Sequence, residues 1–175
     1  MADGYNHMMT LGMPGPTVNL ESRHDGAFAA GDYNDDNFMY VTRNPGRFGV
    51  GSRVLSTKNT WKPVGYVNGL KGVVLHIVYD PKNGDDRLAL PTLIVQWDAE
   101  YVGPSWSKTL KNVAPLGPIT EKHKTKPWLS RRGLPVRHAF AVSIFKTQGM
   151  TSSDGLCADV GKAGTLFPCS EYIAL

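Results

Sequence analysis

The 175-residue sequence lacks the features that mark secreted and membrane-embedded proteins. Its two cysteines, Cys157 and Cys169, form neither a disulfide framework nor a close-spaced metal-ligand pair. No apolar run approaches the roughly 20 residues that span a bilayer. The N-terminus, MADGYNHMM, has no basic head followed by an apolar stretch. We therefore expect buried, reduced thiols and a protein of the nucleus or cytoplasm that is neither secreted nor bound to a membrane.

A loop for binding nucleotide phosphates is also missing. Gly161 and Lys162 are adjacent, but the first glycine of the G-x-x-x-x-G-K-[ST] pattern does not precede them. The composition is that of a globular protein, with 41% hydrophobic and 19% charged residues. The length is sufficient to bury a single core.

Acidic and basic residues are unevenly distributed along a chain of net charge +4. Residues 1–47 lean acidic, whereas Glu121 is the only acid between Lys108 and Lys146, a segment with nine cations. A basic segment of this kind is expected where a protein contacts a phosphate backbone. The alternative is a solvated loop that is basic without a binding role.

Four segments have the composition of β-strands: Val50–Thr57, Val73–Tyr79, Leu93–Trp97 and Val113–Leu116. Asn68-Gly69 predicts a tight turn before the second strand, and Gly72 is expected to adopt a positive φ as well. Short strands at this spacing predict a small β-barrel. Residues 25–37 are expected to form an exposed loop, and residues 121–133 a polar connection.

Four aromatic residues lie in or near the basic segment: Trp97, Tyr101, Trp106 and Trp128. Exposed rings flanked by Lys108 and Lys111 would stack on nucleic-acid bases. Trp97 and Tyr101 are instead expected to fill the core of the predicted barrel. The other two rings are compatible with either role.

Residues 138–151, HAFAVSIFKTQGMT, combine a strand pattern with a polar end. Large apolar side chains occupy alternate positions, at Phe140, Val142 and Ile144. At the end of the strand Lys146 offers charge, Ser143 and Thr147 offer hydroxyl groups, and Gly149 permits close backbone approach. Ligand sites of open α/β sheets lie at such strand ends, and this chemistry suits a polyanion. An ordinary buried strand followed by a polar turn is the alternative.

The same stretch resembles the fifth conserved motif of the PIF (petite integration frequency) family of ATP-dependent DNA helicases, A-hydrophobic-T-hydrophobic-H-K-S-Q-G-x-T. The residues at the matching places are Ala141, Ser143, Lys146, Gln148, Gly149 and Thr151; Ser143 replaces the usual Thr and Thr147 the usual Ser, and both keep a hydroxyl group. Phe145 stands where the family has His, and its ring has no hydrogen-bonding nitrogen. Further segments resemble family patterns in the expected order: VNGLKGVV, WDAEYVGP, RRGLPVR, DVGK and the final EYIAL. The family's sixth motif, Y-V-A-L-S-R, continues with Ser and Arg beyond the last residue of this sequence.

This resemblance implies an α/β fold, namely an incomplete RecA-like second motor domain with an inserted small Src-homology-type β-barrel. Residues 1–60 would form the first part of the second motor domain, residues 61–128 the inserted barrel, and residues 129–175 the remainder of the second motor domain. In the intact protein, truncated here at both ends, ATP and magnesium would be the cofactors. The first motor domain would then be present in cis.

For the site, the resemblance implies contacts to single-stranded DNA and a share of the motor cleft. The DNA-binding residues would be Ser143, Lys146 and Thr147, with Arg131, Arg132 and Lys71 as weaker electrostatic contacts. Gln148 and Gly149 would form the motor-cleft turn. No cofactor and no ATP hydrolysis are expected of this chain alone, because the phosphate-binding loop and the arginine finger are missing.

Two other functional classes remain open at this point. The chain would be a stand-alone single-stranded nucleic-acid-binding module without catalysis, or a truncated remnant with no independent role. The family is associated with DNA repair, DNA recombination and telomere maintenance, which the resemblance implies only for the intact helicase.

Overall fold

The computed structural model of the chain describes residues 2–13, 15–79 and 89–140. The predicted motif residues Ser143, Lys146, Thr147, Gln148 and Gly149 lie outside the described residues, as do both cysteines. In the part that is described, no helix is long and apolar enough to cross a membrane.

One helix and ten short strands make up the described elements, together with three single turns of 3-10 helix at Ala30–Tyr33, Asp35–Asn37 and Lys62–Val64. The helix is α1 (Ala2–Leu11). The strands are β1 (Thr17–Asn19), β2 (Arg23–Asp25), β3 (Arg47–Gly49), β4 (Arg53–Ser56), β5 (Lys71–Val78), β6 (Thr92–Trp97), β7 (Val113–Leu116), β8 (Ile119–Lys122), β9 (Ser130–Gly133) and β10 (Val136–His138).

The largest sheet has five strands in the order β10-β4-β5-β6-β7. It crosses both expected domain boundaries, because β4 precedes residue 61 and β10 follows residue 128. All seven strand pairings among the described residues are antiparallel. The described part is therefore a mostly-sheet fragment, with β1 and β3 forming a small second sheet.

Alternation along β6 builds the core of the five-stranded sheet. Leu93, Val95 and Trp97 are buried, while the residues between them are half-buried. Tyr101 is only 2% exposed and packs edge to face against Tyr66, with the two ring centres 6.0 Å apart. The prediction that Trp97 and Tyr101 fill a core is confirmed.

Gly69, in the turn before β5, and Gly72, within β5, are required for different reasons. Gly69 has a φ of 95°, as the Asn-Gly turn predicts. Gly72 lies within β5 and has no positive φ, so that expectation is wrong. Gly72 is needed because there is no room for a side chain: a Cβ atom there would lie 2.6 Å from the Gln96 carbonyl oxygen and 2.9 Å from the Trp97 ring. Only glycine lets β5 approach β6 so closely.

Residues 121–133 do not form the simple polar connection that was predicted. They contain the end of β8 and all of β9. The central strand β9 pairs with β2 on one side and with β8 on the other, in a three-stranded sheet of order β2-β9-β8. The expected exposed loop at residues 25–37 contains two 3-10 turns, and Asp32 within it is 7% exposed. Most residues of this loop are exposed, as predicted, and residues 121–133 pack against it to form the site described next.

Candidate nucleic-acid interface

The three-stranded sheet has two chemically different faces. Side chains of neighbouring residues in a strand point to opposite sides, so directly opposed residues form rows on one face or the other. One face carries the row His24, Arg131 and Glu121, and the other carries the row Arg23, Arg132 and Thr120. The adjacent arginines 131 and 132 are thus separated by the strand geometry itself.

Arg131 is fully buried on the inner face, with 0% exposure. Its Nε donates a hydrogen bond to His24 Nε2 at 3.0 Å, and its Nη2 donates to the Tyr33 carbonyl at 2.7 Å. Its Nη1 donates to the Val41 carbonyl at 3.0 Å and also forms an ion pair with Asp35. These acceptors belong to β2 and to the loop that follows it, so Arg131 fixes that loop to the sheet.

The ring of Phe38 completes this buried site, 3.9 Å from Arg131 Cζ to the ring centre. Burial lowers the pKa of the Arg131 guanidinium, an effect that the Asp35 carboxylate opposes. The sequence placed Arg131 among the weaker DNA contacts. That assignment is corrected, because a buried guanidinium already bonded to protein acceptors has no face left for a phosphate.

Further charges of the basic segment are bonded to the acidic loop at residues 28–41. Lys126 Nζ donates to Asp32 at 2.6 Å, which lowers the pKa of that carboxyl group. Lys124 bonds to a backbone carbonyl of the same loop. In the reverse sense, the Glu121 carboxylate accepts hydrogen bonds from the loop amides of Tyr40 and Val41 at 2.9 and 3.0 Å. Some cations of the predicted phosphate-binding segment are therefore bonded to this loop and hold it against the sheet.

The outer face is the surface that remains open to a ligand. Arg132 and Arg23 are both exposed and lie directly opposite each other on β9 and β2. The next row holds Ser130 with Lys122 on one side and the carboxylate of Asp25 on the other. A shallow cleft of about 320 Å³ is lined by Arg23, His24, Asp25, Thr120, Ser130 and Arg132.

Lys71, the remaining described candidate, lies elsewhere. It is half-buried at the start of β5 in the five-stranded sheet, opposite Leu55. Its carbonyl accepts a hydrogen bond from Asp98 N, and the Asp98 carboxylate forms a two-pronged pair with Arg53 at 2.9 Å for both bonds. The structure therefore places Lys71 and Arg132 on different sheets.

The two aromatic residues that the sequence left open are both exposed. Trp106 is 69% exposed in the loop between β6 and β7, and Trp128 is 72% exposed just before β9. Lys108 and Lys111 follow Trp106 in the same loop and are also exposed.

Several outer-face residues were missed by the sequence reasoning. Arg23, Thr120 and Ser130 were not predicted as contacts, since their strands lack an apolar alternation, and Lys122 was counted only as one cation of the basic segment. The sequence SRRG nevertheless contains a signal: if it forms a strand, its two adjacent arginines point to opposite faces of the sheet.

The described residues do not provide a metal site. No group of three or more His, Cys, Asp or Glu side chains within them is arranged to hold a metal ion. The proposed motor-cleft residues Gln148 and Gly149 lie beyond residue 140, where the described part ends. The described surface thus offers cations and hydroxyl groups for binding an anion.

Comparisons with known proteins agree with the motif resemblance. No protein-family model matches the chain. The zebrafish (Danio rerio) ATP-dependent DNA helicase PIF1 is 33% identical over 126 residues, which is 72% of this chain and 17% of that protein. The Pif1 helicase of Candida albicans superposes with a TM-score of 0.60 at 21% identity, covering 86% of this chain and 35% of that one. Bacteroides Pif1 bound to single-stranded DNA superposes with a TM-score of 0.61 at 18% identity, covering 99% of this chain and 35% of that one. The resemblance to Pif1 helicases is confirmed, and it extends over a minor part of each relative's length.

Proposed function

We propose that this chain is part of a Pif1-type ATP-dependent DNA helicase and contributes single-stranded DNA contacts to the intact motor. The resemblance in sequence and fold supports the assignment to a motor. The observation that supports DNA contact is the exposed row in which Arg132 lies opposite Arg23. Guanidinium groups bind phosphate oxygens through paired hydrogen bonds, and the neighbouring hydroxyl groups of Thr120 and Ser130 add further donors.

The chemistry of ATP would be performed by the intact protein and not by this chain. We assign Gln148 and Gly149 to the motor-cleft turn, and Ser143, Lys146 and Thr147 to phosphate contacts at the preceding strand end. ATP and magnesium would bind chiefly to a first motor domain in cis. The purified chain, mixed with ATP, magnesium and single-stranded DNA, should release no phosphate above background, and measurable turnover would contradict this division of labour.

Equilibrium binding of the full chain to a labelled single-stranded oligonucleotide of about 16 nucleotides tests the DNA contact. Fluorescence anisotropy between about 50 and 200 mM salt should show affinity that falls steeply with salt, because bound phosphates release counterions. Arg132→Gln should weaken binding several-fold and reduce the salt slope by about one. Arg47→Gln is the matched control, since Arg47 is equally charged and exposed but lies on β3.

Two outcomes would count against the proposed function. One is an absence of binding by the native chain at about 50 mM salt. The other is an equal loss of affinity for Arg132→Gln and Arg47→Gln, which would show that only overall charge matters.

The outer face would serve equally well in a stand-alone binding module, because phosphate contacts need no motor. The buried core favours such a folded unit over a remnant, since Val54, Val74, Val95 and Leu93 are each 0% exposed. A cooperative thermal transition is expected of the purified chain. A broad, featureless transition would favour the remnant.

A further inference from the structure

The loop between β6 and β7 is held in one shape by two serine side chains. Ser105 Oγ donates to the Leu110 carbonyl at 2.7 Å and accepts from Val113 N at 3.2 Å. Ser107 Oγ accepts from the amides of Thr109 and Leu110 at 3.2 and 3.0 Å. Because these bonds close the loop on itself, residues 105–111 are held in a defined conformation before any ligand arrives.

The base of this loop is fastened to the core. Tyr101 is 2% exposed, and its hydroxyl donates to the Pro104 carbonyl at 3.0 Å. Gly103 lets the chain turn tightly over that ring, because a Cβ atom there would lie 2.4 Å from Tyr101 Oη. On the other side, Trp106 N donates to the Val113 carbonyl of β7 at 2.7 Å. The loop is therefore an extension of the folded core.

The groups that this rigid loop presents to solvent are an aromatic ring and two ammonium groups. Trp106 is 69% exposed, and Lys108 and Lys111, which follow it in the same loop, are exposed as well. Residues 101–120 contain no Asp or Glu, so neighbours in the sequence do not neutralise these cations. A large ring held in water by a preorganised loop gains nothing for folding, whereas preorganisation favours binding.

From this arrangement we propose that residues 105–111 form a second contact for single-stranded nucleic acid, distinct from the outer face of β2, β9 and β8. Trp106 stacks on one unpaired base, and Lys108 and Lys111 bind the phosphates on either side of it. Every base has a π-face, so this contact is tolerant of sequence. Bases of a duplex are covered by their neighbours and do not offer that face. The inference rests on the proposed DNA-binding function and adds the unpaired base as the group recognised.

Trp128 provides the matched control within the same chain. It is 72% exposed, similar to Trp106, and it also follows a lysine. That lysine, Lys126, is bonded to Asp32 at 2.6 Å. The lysine that precedes the second ring is therefore bonded within the protein, and we expect loss of Trp128 to leave binding unchanged.

The test compares binding of the full chain to oligothymidylate and to an oligonucleotide of equal length built from abasic sites. Trp106→Ala should weaken binding to oligothymidylate by about tenfold, within the range known for one stacked base. Binding to the abasic strand should not change, because that strand has phosphates but no bases. Trp128→Ala should change neither, and thermal melting of both variants should match the native chain.

Lysine variants separate the phosphate part of the contact. Lys108→Gln and Lys111→Gln should weaken binding to both strands and each reduce the salt slope by about one. A loss of affinity for the abasic strand in Trp106→Ala would overturn the stacking role. Equal effects of Trp106→Ala and Trp128→Ala would overturn it as well.

The results also separate this inference from the proposed function. If Arg132→Gln weakens binding while Trp106→Ala does not, the loop is not a contact and the outer face stands. If the native chain does not bind at about 50 mM salt, both ideas fail together.

Discussion

The neighbouring residues Arg131 and Arg132 should respond to the same substitution in opposite ways. We expect Arg131→Ala to lower the free energy of unfolding by about 3–5 kcal/mol, because it removes a buried guanidinium that donates to two carbonyl groups and pairs with Asp35. Arg132→Ala should change it by no more than about 0.5 kcal/mol, as surface substitutions usually do. For DNA affinity we expect the opposite: Arg132→Ala should weaken binding more than Arg131→Ala, since Arg132 is the exposed residue of the two.

The size of the Arg131 effect follows from its partners. The carbonyl groups of Tyr33 and Val41 would each lose a donor, and an orphaned buried acceptor costs about 1–3 kcal/mol. The contact of the guanidinium with the Phe38 ring is lost as well. Asp35 contributes less, because its side chain is 43% exposed and keeps a bond from Arg43 N at 2.7 Å.

Urea unfolding followed by circular dichroism measures both substitutions. Arg131→Met is a graded variant, because its side chain fills most of the vacated space while the carbonyl groups stay unpaired. It should be less destabilised than Arg131→Ala. Equal stabilities of Arg131→Ala and Arg132→Ala would refute the assignment of the two side chains to opposite faces.

Two further predictions concern pH and backbone space. Burial and the neighbouring Arg131 lower the pKa of His24, so the unfolded chain takes up the proton first. Stability should therefore fall as the pH drops below about 6.5, and His24→Gln should flatten that slope in urea titrations at two pH values; identical slopes would contradict this. Gly65→Ala should lower the melting temperature more than Gly69→Ala. Both glycines have positive φ (77° and 95°), but only a Cβ atom at residue 65 meets the Glu100 carbonyl oxygen, at 1.9 Å.

Four strands of the five-stranded sheet, β4 to β7, were predictable because their sequence carries the physical signal, whereas β10 was not predicted. The strand predicted at residues 73–79 overlaps β5, which is Lys71–Val78 in the structure. The strand predicted at Val113–Leu116 has the same bounds as β7. β-Branched and apolar residues alternate there because one face packs on the core. Trp97 and Tyr101 could be placed in the core on the same ground.

The three-stranded sheet escaped prediction because its inner face is polar. Arg131 and Glu121 occupy positions that an apolar residue would fill in an ordinary sheet. The layer that covers them is an acidic loop, so charges and backbone groups replace hydrophobic contacts. β2 also pairs with a strand about a hundred residues away, as in the opposition of Arg23 and Arg132. No local pattern reveals such a partner.

Net charge is consequently a poor guide to where this chain binds an anion. The ion pairs of Asp32 with Lys126 and of Asp35 with Arg131 remove cations from the basic segment that the sequence counts as available. Cations accessible to a ligand lie where strand alternation turns a side chain outward, as at Arg132, or where no acid is near in sequence, as in residues 101–120. Removal of a cation paired inside the protein should therefore change the free energy of unfolding. Removal of an outward cation should change the salt dependence of DNA binding, and a cation that moved both quantities equally would contradict this separation.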